Sequence, residues 1–198
     1  RSDIANQMST IITKSFSDSY VLAGVATGAI AIGALIAERL EKPYIYVRPN
    51  PKGHGLKNQT EGSLPSGSDV VVIEDLISTG MSSLNAVNAI KNADSNVKGM
   101  LSIFSYGFDF AINRFESEKI DLISLADYNI LIEIVKEEKI ISDDEIKKLY
   151  QSYSNAWYVH TTLTKSSEAA NISALNTIKS SGYLSVYSHL EPPIILAS

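Results

Sequence analysis

Residues 69–73 read Asp-Val-Val-Val-Ile, and after the aspartate they are an unbroken run of β-branched apolar side chains. Such side chains are stiff at χ1 and fit a pleated strand better than a helix. A strand with one wet face alternates apolar and polar residues. An unbroken run is what a strand buried on both faces looks like. The sheet around it therefore needs helices on both sides, and the rest of the chain offers them. Ile4, Met8, Ile11 and Ile12 give residues 3–16 a helical spacing, and 26–40 reads as a second helix. Residues 20–25, 44–47, 97–106 and 120–125 read as further strands. Helices are expected near 82–93, 109–117, 127–138 and 142–152, the last opened by a capping box at Ser142-Asp143-Asp144-Glu145. This alternation implies an α/β fold with a central, mainly parallel sheet flanked by helices. Ligands of such sheets lie beyond the carboxyl ends of the strands.

Composition removes several classes of function. The chain has 198 residues, net charge −5 and no cysteine, so disulfides, thiolate catalysis and cysteine zinc sites are excluded. Its three histidines, His54, His160 and His189, argue against a zinc site built on imidazole alone. The acidic balance argues against general nucleic-acid binding, which needs a basic face. No apolar run approaches the roughly 20 residues that span a membrane. The opening Arg-Ser-Asp shows no signal-peptide pattern, and a cytoplasmic enzyme is expected.

Three segments carry candidate chemistry. In the first, the buried strand is followed by Glu74-Asp75 and then Leu76-Ile77-Ser78-Thr79-Gly80-Met81-Ser82. Two carboxylates at a strand end can hold ribose hydroxyls, directly or through a Mg²⁺ shell. A turn that opens a helix offers backbone N–H groups to a phosphate, and Ser78, Thr79 and Ser82 add hydroxyls. Read alone, the same pattern is also an ordinary strand, acidic turn and helix cap. The second is the long loop 48–68, which places Arg48, Lys52 and His54 within seven residues, among Pro49, Pro51, Gly53 and Gly55. Loops of that length inside compact domains are usually functional. This one reads either as a solvated connection or as a cationic lid over an anionic leaving group. The third, Ala23-Gly24-Val25-Ala26-Thr27-Gly28-Ala29-Ile30, is either a tightly packed strand-to-helix turn or a loop that offers N–H groups to phosphate.

Taken together, Val70 to Ser82 resembles the signature by which type I phosphoribosyltransferases bind 5-phosphoribosyl-1-pyrophosphate (PRPP). The form Glu-Asp-Leu-Ile-Ser-Thr-Gly is that of the orotate phosphoribosyltransferase family. Lys52-Gly53-His54-Gly55 is similar to that family's K-x-H-G catalytic loop, although Pro49 stands where some members carry a second lysine. Phe104-Ser105-Tyr106-Gly107 resembles a stretch beside the base site, with aromatic core packing as the alternative for Phe104. Asp127-Tyr128-Asn129 reads as a helix start. Glycine is common in the family where Met81 stands, and Met81 is expected to restrict that turn slightly.

The resemblance implies that orotate and PRPP give orotidine 5′-monophosphate and pyrophosphate, a step of pyrimidine biosynthesis. Glu74 and Asp75 would hold the ribose. Ser78, Thr79, Gly80, Met81 and Ser82 would hold the 5′-phosphate, with Ser78 near orotate, and Leu76 and Ile77 belong to the same PRPP-binding run. Arg48, Lys52 and His54 would serve pyrophosphate, and Lys52, His54 and Asp75 are the catalytic candidates. Mg²⁺ would be bound mainly through PRPP. The resemblance also implies a homodimer with shared sites and a small hood subdomain. A phosphoribosyltransferase for another base, or a non-catalytic PRPP sensor, are the alternatives.

The resemblance spans residues 1–157, expected as the phosphoribosyltransferase core. Residues 166–198 resemble the piece with which the family normally begins. This implies a permuted order, with an ordinary C-terminal extension as the alternative. The family's S-P-x-Y segment, which lies against orotate, has no counterpart in the chain.

Overall fold

The computed structural model describes residues 2–16, 20–50 and 59–165, with residues 155–165 as backbone. The chain divides into two compact units, Arg1–Glu138 and Lys139–Ser198. In the first unit the elements run α1 (Ser2–Ser15), β1 (Val21–Val25), α2 (Ala29–Leu40), β2 (Tyr44–Val47), β3 (Thr60–Glu61), β4 (Asp69–Ile77), α3 (Met81–Asn92), β5 (Asn96–Ser105), α4 (Asp109–Ser117), β6 (Leu122–Asp127) and α5 (Tyr128–Glu137). The strands form one sheet in the order β3-β2-β1-β4-β5-β6. All neighbours are parallel except β2 and β3.

The unbroken apolar run does what its pattern requires. Val70 and Val72 join Val21, Ala23, Val25, Ile45 and Val47 in one buried cluster, closed by Ala86, Val87 and Ile90 of α3 and Phe115 of α4. Val71 and Ile73 join Leu22 and Leu101 in the other, closed by Ala5, Met8 and Ile12 of α1 and Ile32 and Ile36 of α2. Successive residues of a strand point to opposite faces, so both layers of core meet on the same four-residue stretch. Small residues set the spacing of α2. A Cβ on Gly33 would stand 2.9 Å from the Tyr44 ring, whose hydroxyl donates to the Ile30 carbonyl at 2.8 Å. Burial pushes that phenol up to about 12, so it stays a donor across the physiological range.

Four expectations about element limits need correction. Residues 48–68 are not one loop: Thr60 and Glu61 pair antiparallel with Val47 and Tyr46. Strand β4 does not stop at Ile73 but pairs with β5 as far as Ile77. Helix α2 begins at Ala29 rather than Ala26, because residues 26–28 form a turn. In the second unit, α6 spans Asp143–Lys165 and so passes well beyond residue 152. Residues 153–165 contain neither glycine nor proline to stop it. Its start is the expected capping box: Ser142 N donates to Glu145 Oε2 at 2.9 Å and Ser142 Oγ at 2.7 Å, and Glu145 N returns to Ser142 Oγ at 3.4 Å. Asp127 caps α5 by accepting from Asn129 N at 2.9 Å and Ile130 N at 3.0 Å, as a helix start should. Residues 166–198 lie outside the described residues. Among the described residues no helix is long and apolar enough to cross a membrane.

Leu101 is fully buried in the cluster beneath α1 and α2. Leu101→Ala should cost roughly 2–5 kcal/mol, seen as a lower urea midpoint at unchanged slope. A loss below about 1 kcal/mol would mean that this face is not tightly packed.

Candidate functional site

Chain order places the site. From β1 the sheet grows one way to β2 and β3, then resumes on β1's other side with β4, β5 and β6. The carboxyl ends of β1 and β4 therefore flank a topological switch point, the place where open α/β sheets bind ligands. Helix α2 leaves toward one face and α3 toward the other. Between them the turn 26–28 approaches strand β4 so closely that a Cβ on Gly28 would overlap the Asp75 carboxylate. Gly28 has φ −62°, so its role is one of space, not of backbone handedness. The Ala26–Thr27 peptide in this turn is cis.

The other strand ends join the same edge. Ala26 N donates to the Val47 carbonyl at 2.8 Å, tying the turn to the end of β2. Arg48 follows directly. Its N–H donates to the Gln59 carbonyl at 2.8 Å, and Gln59 Nε2 returns to the carbonyls of Arg48 at 3.3 Å and Pro49 at 3.2 Å. Arg48 Nη1 lies 3.5 Å from Glu61 Oε1. These bonds tie Arg48 and Pro49 to Gln59; Lys52 and His54, which come between them in sequence, are both outside the described residues. On the far side, Tyr106 N donates to the Ile77 carbonyl at 2.9 Å and holds β5's end against β4's.

Glu74 and Asp75 were expected to emerge together past the strand. Because β4 continues to Ile77, alternation sends them to opposite faces. Asp75 is half-buried beside Gly28, and its Oδ1 accepts from Leu76 N at 2.9 Å. Glu74 turns under α3 and is only 4% exposed. Its Oε1 accepts from Asp75 N at 3.1 Å, and its Oε2 accepts from Ser83 Oγ at 2.8 Å. Burial pushes the Glu74 carboxyl up to about 8; the Asp75 side chain adds to the rise, while the bonds from Ser83 Oγ and the Asp75 N–H oppose it.

The turn after β4 is built on Gly80, with φ 75° and ψ 0°. An L side chain is costly in that left-handed region. A Cβ would also stand 2.9 Å from Phe115 Cε2. Met81 was expected to restrict the turn. It does not, because it is the first residue of α3 and the left-handed residue is its neighbour; its side chain is 50% exposed. Ser78 and Thr79 are half-buried, Ser82 is exposed, and Thr79 Oγ1 accepts from Met81 N at 3.4 Å. The helix N-terminus behind them favours an anion, and the partial positive charge of its amide end acts over the first turn.

Sequence reasoning missed Ser83 and Arg114. Ser83 reads as one more hydroxyl at a helix start, yet it is 1% exposed and bonds Glu74. Arg114 lies 35 residues beyond the turn whose Thr79 carbonyl it bonds at 2.9 Å, and no local signal announces that. The aromatic stretch is more extensive than Phe104-Ser105-Tyr106-Gly107 suggested. Tyr106 stacks on Phe108 at 5.6 Å, Phe108 on Phe110 at 5.2 Å, and Tyr128 leans on Tyr106 at 5.9 Å. Among the described residues no group of three or more His, Asp or Glu is placed to hold a metal.

Glu74 generates a pH-linked prediction. Below its ordinary value of 4.5 both folded and unfolded chains hold the proton. As pH rises toward 8 the unfolded chain ionises while the folded one does not, so stability is lost across that window. Glu74→Gln keeps a neutral donor and has no proton to lose. Relative to wild type it should gain roughly 2–4 kcal/mol between pH 5 and pH 8 in urea unfolding. Parallel pH profiles for the two proteins would show that Glu74 is not held neutral.

Comparison with known proteins bears on what this site serves. The Phosphoribosyl transferase domain model matches residues 3–105. The orotate phosphoribosyltransferase of Porphyromonas gingivalis is 46% identical over 149 residues, which cover 75% of this chain and 71% of that protein. The orotate phosphoribosyltransferase of Phocaeicola vulgatus is 44% identical over 149 residues, covering 75% and 70%. Among solved structures, orotate phosphoribosyltransferase from Aeropyrum pernix superposes with TM-score 0.62 at 30% identity, over 68% of this chain and 75% of that one.

Proposed function

The chain belongs to the phosphoribosyl transferase family, and from that premise we propose that it is an orotate phosphoribosyltransferase, acting in pyrimidine biosynthesis. The choice of orotate over another base is carried by the identity to curated orotate enzymes, since the fold alone would serve several bases. In the reaction, the ring nitrogen of orotate forms a bond to C1 of PRPP. The bond from C1 to pyrophosphate breaks with its electron pair leaving on oxygen, and the nitrogen's proton is released. Positive charge grows on the ribose and negative charge on the leaving group, so catalysis is mostly positioning and electrostatics.

On this reading the switch point holds PRPP. Asp75 presents the open carboxylate to the ribose hydroxyls. Glu74 stands one residue back, buried and bonded to the Asp75 N–H. Residues 78–82 seat the 5′-phosphate, with Ser78 toward orotate. The turn at Gly28 offers backbone to pyrophosphate. Arg48, Lys52 and His54 stabilise pyrophosphate as it departs, which lowers the barrier more than it tightens the ground state. Mg²⁺ suits this donor set, because it commonly binds through one or two carboxylates and substrate phosphates, and Asp75 is such a carboxylate. When bound, Mg²⁺ would neutralise charge on the pyrophosphate. Both substrates are anionic, PRPP strongly so, and do not readily cross membranes unaided, which suits the cytoplasm. Residues 166–198 would supply the helix and strand with which the family begins.

The purified protein should consume orotate only when PRPP and Mg²⁺ are both supplied. Asp75→Asn should raise the KM for PRPP roughly tenfold, while Lys52→Ala should lower kcat more than it raises KM. Turnover of adenine or hypoxanthine without orotate activity would remove the orotate assignment and leave the family intact.

We further propose a homodimer in which the loop bearing Lys52 serves the partner's PRPP. Mixing Lys52→Ala and Asp75→Asn proteins under subunit exchange, assayed at PRPP well below the wild-type KM so that each parent alone is weak, should then give about half mixed dimers, each with one intact site of two. Activity should return to about a quarter of wild type. No recovery after proven exchange would mean that each loop serves its own subunit.

A further inference from the structure

Helix α4 contributes two consecutive residues to the underside of the turn at Thr79-Gly80. Phe115 fills the space where a Gly80 side chain would stand, with Cε2 2.9 Å from the ideal Cβ position. Arg114 Nη1 donates to the Thr79 carbonyl at 2.9 Å. The guanidinium also sits 5.5 Å over the Phe110 ring, which is stacked on Phe108. The arginine is therefore held by a ring on one side and by a backbone carbonyl on another.

The carbonyl of Thr79 and the N–H of Gly80 belong to one planar peptide unit, and in the trans form they point in opposite directions. Fixing the carbonyl toward Arg114 therefore aims the N–H away from α4. An anion cradle needs that N–H. If the peptide turned over, a carbonyl oxygen would meet the anion instead, and repulsion would replace a hydrogen bond. Glycine opposes such a turnover little, since it enters left- and right-handed conformations about equally. The restraint has to come from elsewhere, and a bond from a charged donor is a strong one.

We propose that Arg114 is a positioning residue for the phosphate turn: its bond to the Thr79 carbonyl holds the Gly80 N–H toward the 5′-phosphate of PRPP. This rests on the reading of residues 78–82 as the seat of that phosphate. Arg114 does not touch the reacting atoms; it acts through the peptide.

The test compares wild type, Arg114→Met, which keeps an apolar stem, and Arg114→Lys, which restores charge and a donor. The readouts are the KM for PRPP, kcat, and inhibition by ribose 5-phosphate and by pyrophosphate. Ribose 5-phosphate needs the turn and pyrophosphate does not. Arg114→Met should raise the KM for PRPP and the inhibition constant of ribose 5-phosphate roughly tenfold each. Pyrophosphate inhibition should stay within about twofold and kcat within about threefold, and Arg114→Lys should regain most of the loss. The tenfold ratio should persist from low to high salt, because a direct bond is screened far less than a distant charge. Unchanged ribose 5-phosphate inhibition would overturn the proposal. So would equal weakening of both inhibitors, or a ratio that disappears in high salt. If ribose 5-phosphate fails to inhibit even the wild type, the phosphate reading beneath the proposal falls instead.

Discussion

Strand β4 is apolar on both sides for four consecutive residues, and the organisation of the site descends from burying them. Val70 and Val72 demand one layer of helices, Val71 and Ile73 another. A central strand so covered cannot slip by one residue, since the shift would exchange its two faces. The register with β1, which sets Ala23 beside Val72 and Gly24 beside Ile73, is thereby fixed. With it is fixed how far Asp75 projects beyond the core and where it meets Gly28.

The fold was legible where local pattern and tertiary demand agree. The β-branched run, the amphipathic spacing of residues 3–16 and the capping box at Ser142 are each readable from neighbours in sequence. Limits that depend on distant pairing were not. Thr60-Glu61 becomes a strand only because β2 lies beside it. Leu76 and Ile77 stay in β4 because Phe104 and Ser105 of β5 continue alongside them.

The site was legible to a similar depth. Residue types and spacing marked Glu74 through Ser82 as a unit. They did not reveal that Glu74 and Asp75 face apart, because the strand's end point decides that. Nor could they show Ser83 beneath Glu74, or Arg114 beneath Thr79. The first joins residues 9 apart across a turn and the second residues 35 apart, and both use ordinary-looking side chains. The left-handed demand of the turn falls on Gly80, not on Met81, and the helix begins after it.

A buried carboxyl held neutral next to an open one is a division of labour. Two ionised acids on adjacent residues would repel each other. Keeping the proton on Glu74 lets it order the Asp75 backbone without adding a second negative charge.

The placement of α4 bears on what a motif is. The family match ends at residue 105 and already contains the whole acidic run and its turn. Yet the floor of that turn is Phe115 and its brace is Arg114, both beyond the match. The stretch is portable as text but not as an object. Grafted into another sheet without a helix to support it, it would carry the right letters on a peptide free to face either way.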